Sequence, residues 1–165
     1  MAADADQIDV RNVRSSDVAA IVELVIKDER AGSADPSPAD THTRDQQRTR
    51  VQGMVGDPAA VSLVATRGDQ VVGYLFSAVA PAPPEPVAPS APAGPVGYVT
   101  DFAVLTRGEW WEVGTALLAR ARDRLRELGA ERVLVTLDAP DPVKRAFLWR
   151  SGLTLGAERY ETPLV

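Results

Sequence analysis

The sequence of 165 residues has no cysteine and one histidine, His42. Without cysteine there is neither a disulfide nor a thiolate nucleophile. With a single histidine, in a polar stretch that reads as loop, neither a His/Cys zinc site nor a Ser-His-Asp triad is expected, and no metal site is expected. Excess positive charge is also missing. The formal net charge is -5 and the pI is near 4.9. No surplus of Lys and Arg is available to neutralise phosphates, so an electrostatic nucleic-acid binder is not expected. No run of apolar residues reaches the length of a membrane span, and the N-terminus lacks the basic flank and apolar stretch of a signal peptide. The expectation is a soluble, cytoplasmic chain. Its length allows one domain with a real core, residues 1–165, and is short for two.

What is present is an ordered run of periodic segments. IDVRNV, from Ile8, alternates as a strand. SSDVAAIVELVIKDER then reads as a helix capped by Ser16, with Val18, Ile21, Val22 and Val25 at helical spacing. THTRDQQRTRVQGMV is a weaker, polar helix that stops at Gly56, Asp57 and Pro58. VSLVATR and QVVGYLFSAVA are strands joined through Gly68 and Asp69, a hairpin signal. Residues 81–95, PAPPEPVAPSAPAGP, carry too much proline for a ladder and read as a loop between strands. GYVTDFAVL, Gly97 to Leu105, is the next strand.

RGEWWEVGTALL follows, a turn that runs into an amphipathic helix with Val113, Leu117, Leu118, Ala121, Leu125 and Leu128 inward and Gly129 as its cap. Arg120, Arg122, Arg124 and Arg126 alternate around that helix, are diluted by Asp123 and Glu127, and read as a solvated face. ERVLVTL is a strand, DPVKRAFLWRSG a short helix, and TLGAERYETPLV a closing strand. The order is β-α-α-β-β followed by β-α-β-α-β, whose crossover loop is the natural ligand end. Trp110 and Trp111 are adjacent at a helix entrance and cannot both face a core. One is expected to cover the sheet and the other to meet solvent, a ligand or a partner chain, which leaves a homodimer open.

Four segments carry a likeness to a known family: IDVRNVRSSDVAAI, the hairpin arm VVGYLF, DFAVLTRGEWWEVGTALLARARDRLRELG with its following strand, and DPVKRAFLWRSGLTLG. On these the chain resembles, over nearly its whole length, the GNAT superfamily of acyl-CoA-dependent N-acyltransferases. The resemblance implies an α/β (α+β) fold: a mixed, mostly antiparallel central sheet flanked by helices, with a parallel break after strand 97–105. It implies transfer of an acyl group from acetyl-CoA, or another acyl-CoA, to an amine on a small molecule, protein or peptide.

It also implies a set of residues bordering CoA: Phe102, Ala103 and Val104 on the strand, and Glu109, Glu112, Val113, Gly114 and Thr115 at the turn. Asp141, Phe147 and Leu148 on the last helix complete it. In the family the turn runs Arg/Gln-x-x-Gly-x-Gly/Ala, and its N–H groups hold a pyrophosphate at a helix start. Here Glu109 stands at the basic position and Glu112 at the first glycine, while Gly114 keeps the last small residue. Arg107 and Gly108 precede the usual positions.

A carboxylate beside a pyrophosphate costs on the order of 1 kcal/mol per hydrated charge pair. A glutamate in a first helical turn is also ordinary helix chemistry, and its side chain can point outward while its N–H points in. Both accounts stand at this point. In the last helix Asp141 matches the family's Asn and Lys144 its Ala. Leu148 replaces the Tyr that acts as acid toward the CoA thiolate.

For the base, Asp101 is the first candidate, three residues before Val104 on the strand that borders the acyl group. Alternation puts it on the face of Ala103, opposite Phe102 and Val104. Its competing role is pairing with an arginine. Tyr98, second candidate, shares the parity of Phe102 on a regular strand. Tyr74 could line the cleft or pack in the sheet, and Glu23 and Glu29 could meet a basic acceptor. Glu109, Glu112 and Leu148 together also support another class of reading, a catalytically silent GNAT-like domain for binding or assembly.

Overall fold

The computed structural model describes residues 7–31, 41–81, 94–137 and 141–155. Most of the proline-rich segment, and most of the stretch expected as a closing strand, lie outside these residues. Five strands form one sheet in chain order: β1 (Ile8–Asn12), β2 (Ala60–Arg67), β3 (Gln70–Ala80), β4 (Val96–Val104) and β5 (Arg132–Val135). The first three ladders are antiparallel and the β4–β5 ladder is parallel. The sheet is thus mixed and mostly antiparallel. The helices are α1 (Val18–Ala31), α2 (Thr41–Gly56), α3 (Val113–Glu127) and α4 (Pro142–Arg150), with 3-10 turns at Ser15–Asp17 and Arg107–Trp111. Among the described residues no helix is long and apolar enough to cross a membrane.

The sheet separates two cores. On one face α3 lays Val113, Leu117, Leu118, Ala121 and Leu125 against Leu63, Leu75 and Phe102, and Phe147 and Leu148 of α4 join the same cluster. On the other, Ile21, Val22 and Val25 of α1 meet Val64, Tyr74, Phe76 and Ala103. The helical spacing of these residues in the sequence is therefore the spacing of burial. Leu128 departs from it and is exposed, because α3 ends at Glu127. Gly129, at φ +90°, turns the chain away there. The N–H of Gly129 bonds Arg126 O and that of Ala130 bonds Leu125 O, the paired closure that a left-handed glycine permits.

One irregularity changes which way β4 faces. Its register runs Phe76↔Asp101 and then Ser77↔Val99, so Thr100 is an extra residue, a β-bulge. The bulge reverses the alternation. Val99 and Phe102 share the α3 core, and a Cβ on Gly97 would meet Leu125 of α3. Tyr98 therefore turns to the opposite face, the side of Asp101, and not to the side of Phe102 as regular alternation predicts.

The start of α1 is held by a charge rather than by Ser16. Asp17 is 6% exposed. Its carboxylate accepts from Arg11 at 2.7 and 3.0 Å and from the Arg14 N–H at 2.8 Å, an acid reaching back to the preceding N–H. The Arg11 hydrogen bond, helped by the Arg14 N–H and opposed by burial, holds the Asp17 carboxyl below its ordinary range. A carboxyl depressed in the fold adds stability above the ordinary carboxylate range and loses it as pH falls through its folded value. Asp17→Asn is expected to cost about 1–2 kcal/mol at neutral pH. The gap to the wild type should close below about pH 4. Denaturant melts at pH 7 and pH 3 test this; an equal gap at both pH values contradicts it.

The start of α3 is held by aromatic packing. Trp110 is 2% exposed and lies 5.3 Å from the Phe102 ring and 5.2 Å from the Phe147 ring, centroid to centroid. Gly114 makes room for it: a Cβ there would stand 2.7 Å from the indole and 3.2 Å from Phe147. Alanine gains about 1 kcal/mol of helix propensity. The wedged indole cannot retreat, so overpacking should win, and Gly114→Ala is expected to lower stability by about 1–3 kcal/mol. A melting temperature at or above that of the wild type would overturn this packing argument.

Candidate active site

The parallel β4–β5 ladder pairs Val96 to Val99 with Arg132 to Val135 and stops. From Thr100 to Val104, β4 has no strand partner on that side among the described residues. The sheet opens there, and Phe102, Ala103 and Val104 lie along the open edge. Across the opening stands α4. Its cap is Asp141, whose Oδ1 accepts from the Val143 N–H at 2.9 Å and the Lys144 N–H at 3.2 Å. Asp141 Oδ2 accepts from Arg107 at 3.3 Å, so α4 is tied to the turn before α3.

That turn is a 3-10 coil. The Glu109 N–H bonds Thr106 O at 2.9 Å and the Glu112 N–H bonds Glu109 O at 3.1 Å, so neither is free for an anion. The donors left over are those of the first α3 turn, Val113, Gly114 and Thr115, which precede any acceptor of their own helix. The two carboxylates do not face these donors alone. Arg67, the last residue of β2, reaches Glu109 at 2.6 Å and Glu112 at 3.3 Å. One guanidinium serves both, leaving a formal charge of −1 where the sequence suggests −2. Trp111 divides the tryptophan pair as expected. It is 46% exposed, packs 5.9 Å from Phe147 and lies 5.0 Å under the Arg150 guanidinium.

On the α1 side of the opening, Asp101 is engaged at both oxygens. Oδ1 accepts from the Tyr74 hydroxyl at 2.9 Å and Oδ2 from Arg50 of α2 at 2.8 Å. Burial, with the Asp101 charge behind it, raises the Tyr74 phenol well above its ordinary range; it is a donor and not a base. Glu29 accepts from Gln47 at 2.8 Å, and its carboxyl is raised chiefly by burial. Glu23 is drawn to Arg44 on the exposed side. Tyr98 is half-buried on the Asp101 face.

One side chain joins the two sides. Lys144 leaves α4, on the α3 face of the sheet, and its ammonium bonds Asp28 of α1 on the other face. On the way it lies 5.2 Å from the Phe102 ring centroid and 5.8 Å from that of Trp110. Lys144 is 8% exposed. The Asp28 carboxyl is raised by burial, against which the Lys144 hydrogen bond works. Phe147 is fully buried and Leu148 is 9% exposed, both within the α3 core.

Phe102, Ala103 and Val104 thus lie on the half of β4 without a second strand partner among the described residues, Val113, Gly114 and Thr115 open α3, and Arg107 ties the turn before α3 to Asp141. The structure turns the carboxylates of Glu109 and Glu112 to Arg67. Sequence reasoning missed Arg67, Arg50, Asp28 and Lys144 as members of the site. A signal existed for the last: Lys144 lies four residues before Leu148, a charge inside the apolar stripe of a short helix.

The sequence profile of the acetyltransferase (GNAT) family matches residues 18–152. No curated protein matches the chain significantly. Several solved structures share its fold. A predicted acetyltransferase from Clostridium acetobutylicum, solved with acetyl-CoA, has a TM-score of 0.71 at 13% identity, covering 95% of this chain and 96% of its own. An aminoglycoside 6'-N-acetyltransferase from Acinetobacter haemolyticus has a TM-score of 0.72 at 13% identity, covering 95% and 99%. A transcriptional regulator from Bacillus halodurans has a TM-score of 0.71 at 16% identity, covering 96% and 100%. At such identities the likeness speaks for the fold. With the family profile spanning most of its length, the chain belongs to the GNAT family of acetyltransferases.

Proposed function

We propose that this chain is an N-acyltransferase that uses acetyl-CoA or another acyl-CoA. The observation that carries the reading is the half of β4 left without a second strand partner among the described residues, followed in the chain by an α3 start whose first N–H groups have no acceptor in their own helix. The donor set suits the group: three backbone N–H groups at a helix start for a pyrophosphate, and a strand edge with unused hydrogen-bonding groups for an amide-bearing arm. Acyl-CoA supplies the activated acyl group and a thiol leaving group. Val113, Gly114 and Thr115 hold the phosphates, and Arg67 offsets Glu109 and Glu112. Phe102, Ala103 and Val104 orient the arm through their backbone, and Asp141 fixes α4 opposite them.

The acceptor amine enters from the α1–α2 side. Asp101 takes its proton, directly or through one water, while Tyr74 and Arg50 fix the carboxylate. Tyr98 borders the same path. A small cationic amine fits this side, where Asp101 and Glu29 gather; aminoglycoside acetyltransferases are among the similar folds. A catalytically silent GNAT-like domain is the second reading. The observation favouring it is Leu148, aliphatic and buried where the family places its acid.

Titration calorimetry with acetyl-CoA separates the two readings, since a silent domain that has lost the site gives no heat. In the enzyme, Arg67→Ala leaves two unpaired carboxylates beside the phosphates. It is expected to weaken binding about tenfold, or about 1.4 kcal/mol. An unchanged dissociation constant in a folded variant would show that the glutamates do not reach the phosphates.

Asp101→Asn keeps the shape and one acceptor oxygen but loses most of the basicity. Acyl transfer should fall roughly 100-fold or more with acetyl-CoA affinity nearly constant. Wild-type turnover in this variant removes Asp101 from the chemistry. Parallel loss of melting temperature and binding would assign it the structural role of anchoring Arg50.

A further inference from the structure

We propose that Lys144 is the acid-side catalytic residue of this site: its ammonium donates a hydrogen bond to the sulfur of the departing thiol, the role for which Leu148 has no group. The inference rests on the acyl-CoA reading above. Position supports it first. Residues four apart share one face of a helix, so Lys144 projects from the same side of α4 as Leu148, one turn earlier and with a longer side chain. Its ammonium lies beside the ring of Phe102, on the edge of β4 that has no strand partner among the described residues. That edge is the one along which the acyl arm is proposed to run.

Burial supports it second. An ammonium that is barely exposed needs a reason to stay in the gap, because desolvating an ion pair returns little or no net stability. Among the described residues its partners are the Asp28 carboxylate and the faces of Phe102 and Trp110. The charges of Asp101 and Asp141 also act on the Asp28 carboxyl; Arg50 and Arg107 pair with those two, and Lys144 is the cation that answers Asp28. Its ammonium has three N–H groups, and one bond to Asp28 leaves two for another acceptor. Asp28 is then a positioning residue that keeps the ammonium in the gap.

The chemistry balances without a further reagent. The acceptor nitrogen forms the C–N bond, the C–S bond breaks, and its electron pair goes to sulfur as thiolate. The proton lost by the amine leaves through Asp101 to solvent, and the thiolate regains one from solvent, giving amide and free thiol. A free ammonium is a weaker acid than a free thiol. Lys144 therefore works by charge and hydrogen bond on the thiolate and ends the cycle unchanged. A cation within hydrogen-bond reach favours the ionised thiol.

The test reads the thiol itself. CoA bound to the protein is titrated by the ultraviolet absorbance of its thiolate, in wild type, Lys144→Met and Lys144→Arg. In wild type the bound thiol should ionise about one pH unit or more below free CoA, a roughly tenfold gain in thiolate fraction at a given pH. Lys144→Met should abolish that gain and Lys144→Arg keep most of it. Because methionine leaves Asp28 without its cation, Asp28→Asn/Lys144→Met is measured beside it and should give the same unshifted thiol. If the bound thiol of the methionine variants ionises at the wild-type pH, the proposal is overturned while the acyl-CoA reading stands. If wild type binds no CoA in calorimetry, that reading fails and takes the proposal with it.

Discussion

The feature on which the site depends is a backbone one. Among the described residues β4 has a strand partner on both edges for its first half and on one edge for its second. Backbone N–H and C=O groups seek partners, so an unpaired half-strand inside a folded chain has to be covered by side chains, solvent or a ligand. The neighbouring elements are arranged around this gap. The bulge at Thr100 rotates the second half of the strand and puts Asp101 and Tyr98 on one face and Phe102 on the other. The turn before α3 closes one end, and Arg107 ties it to the cap of α4. Trp110 supports the turn from below, wedged between Phe102 and Phe147.

Of the cations that answer acidic groups here, Arg67 and Lys144 differ in their energetics. Arg67 meets Glu109 and Glu112 where the side chains are 25%, 21% and 61% exposed. Pairs of that exposure contribute about 0–1 kcal/mol, too little to explain them as devices of stability. Their consequence is electrostatic: they set the charge that an anion meets at the α3 start. Lys144 is more deeply placed, although Asp28 keeps an exposure like that of Arg67; for a buried ammonium the cost of desolvation rivals the attraction. A hydrophobic pair would hold α4 against α1 at least as well, which makes a chemical role the more economical account of the lysine.

Much of the architecture was legible beforehand because it rests on local periodicity. Val18, Ile21, Val22 and Val25 repeat at helical spacing and are buried together, and β3 spans the run QVVGYLFSAVA. Gly129 ends its helix through a left-handed residue. Leu128 was misread because the pattern continued one residue past the point where the helix stops. Tyr98 was placed on the wrong face because a bulge is a property of two strands together, and a one-residue insertion in the pairing leaves no mark on alternation in one of them.

The sequence by itself determined the order of elements, the face of each helix that turns inward, and the family likeness with its departures at Glu109, Glu112 and Leu148. These are local quantities, written in residue type and spacing. Tertiary structure alone decided what the departures mean. Arg67 lies 42 residues from Glu109 and Lys144 lies 116 residues from Asp28, and no periodicity links such positions. Whether a glutamate opposes an anion or is already neutralised, and whether a lysine is solvated or fills a gap in a sheet, depends on which distant charge the fold brings within hydrogen-bond reach.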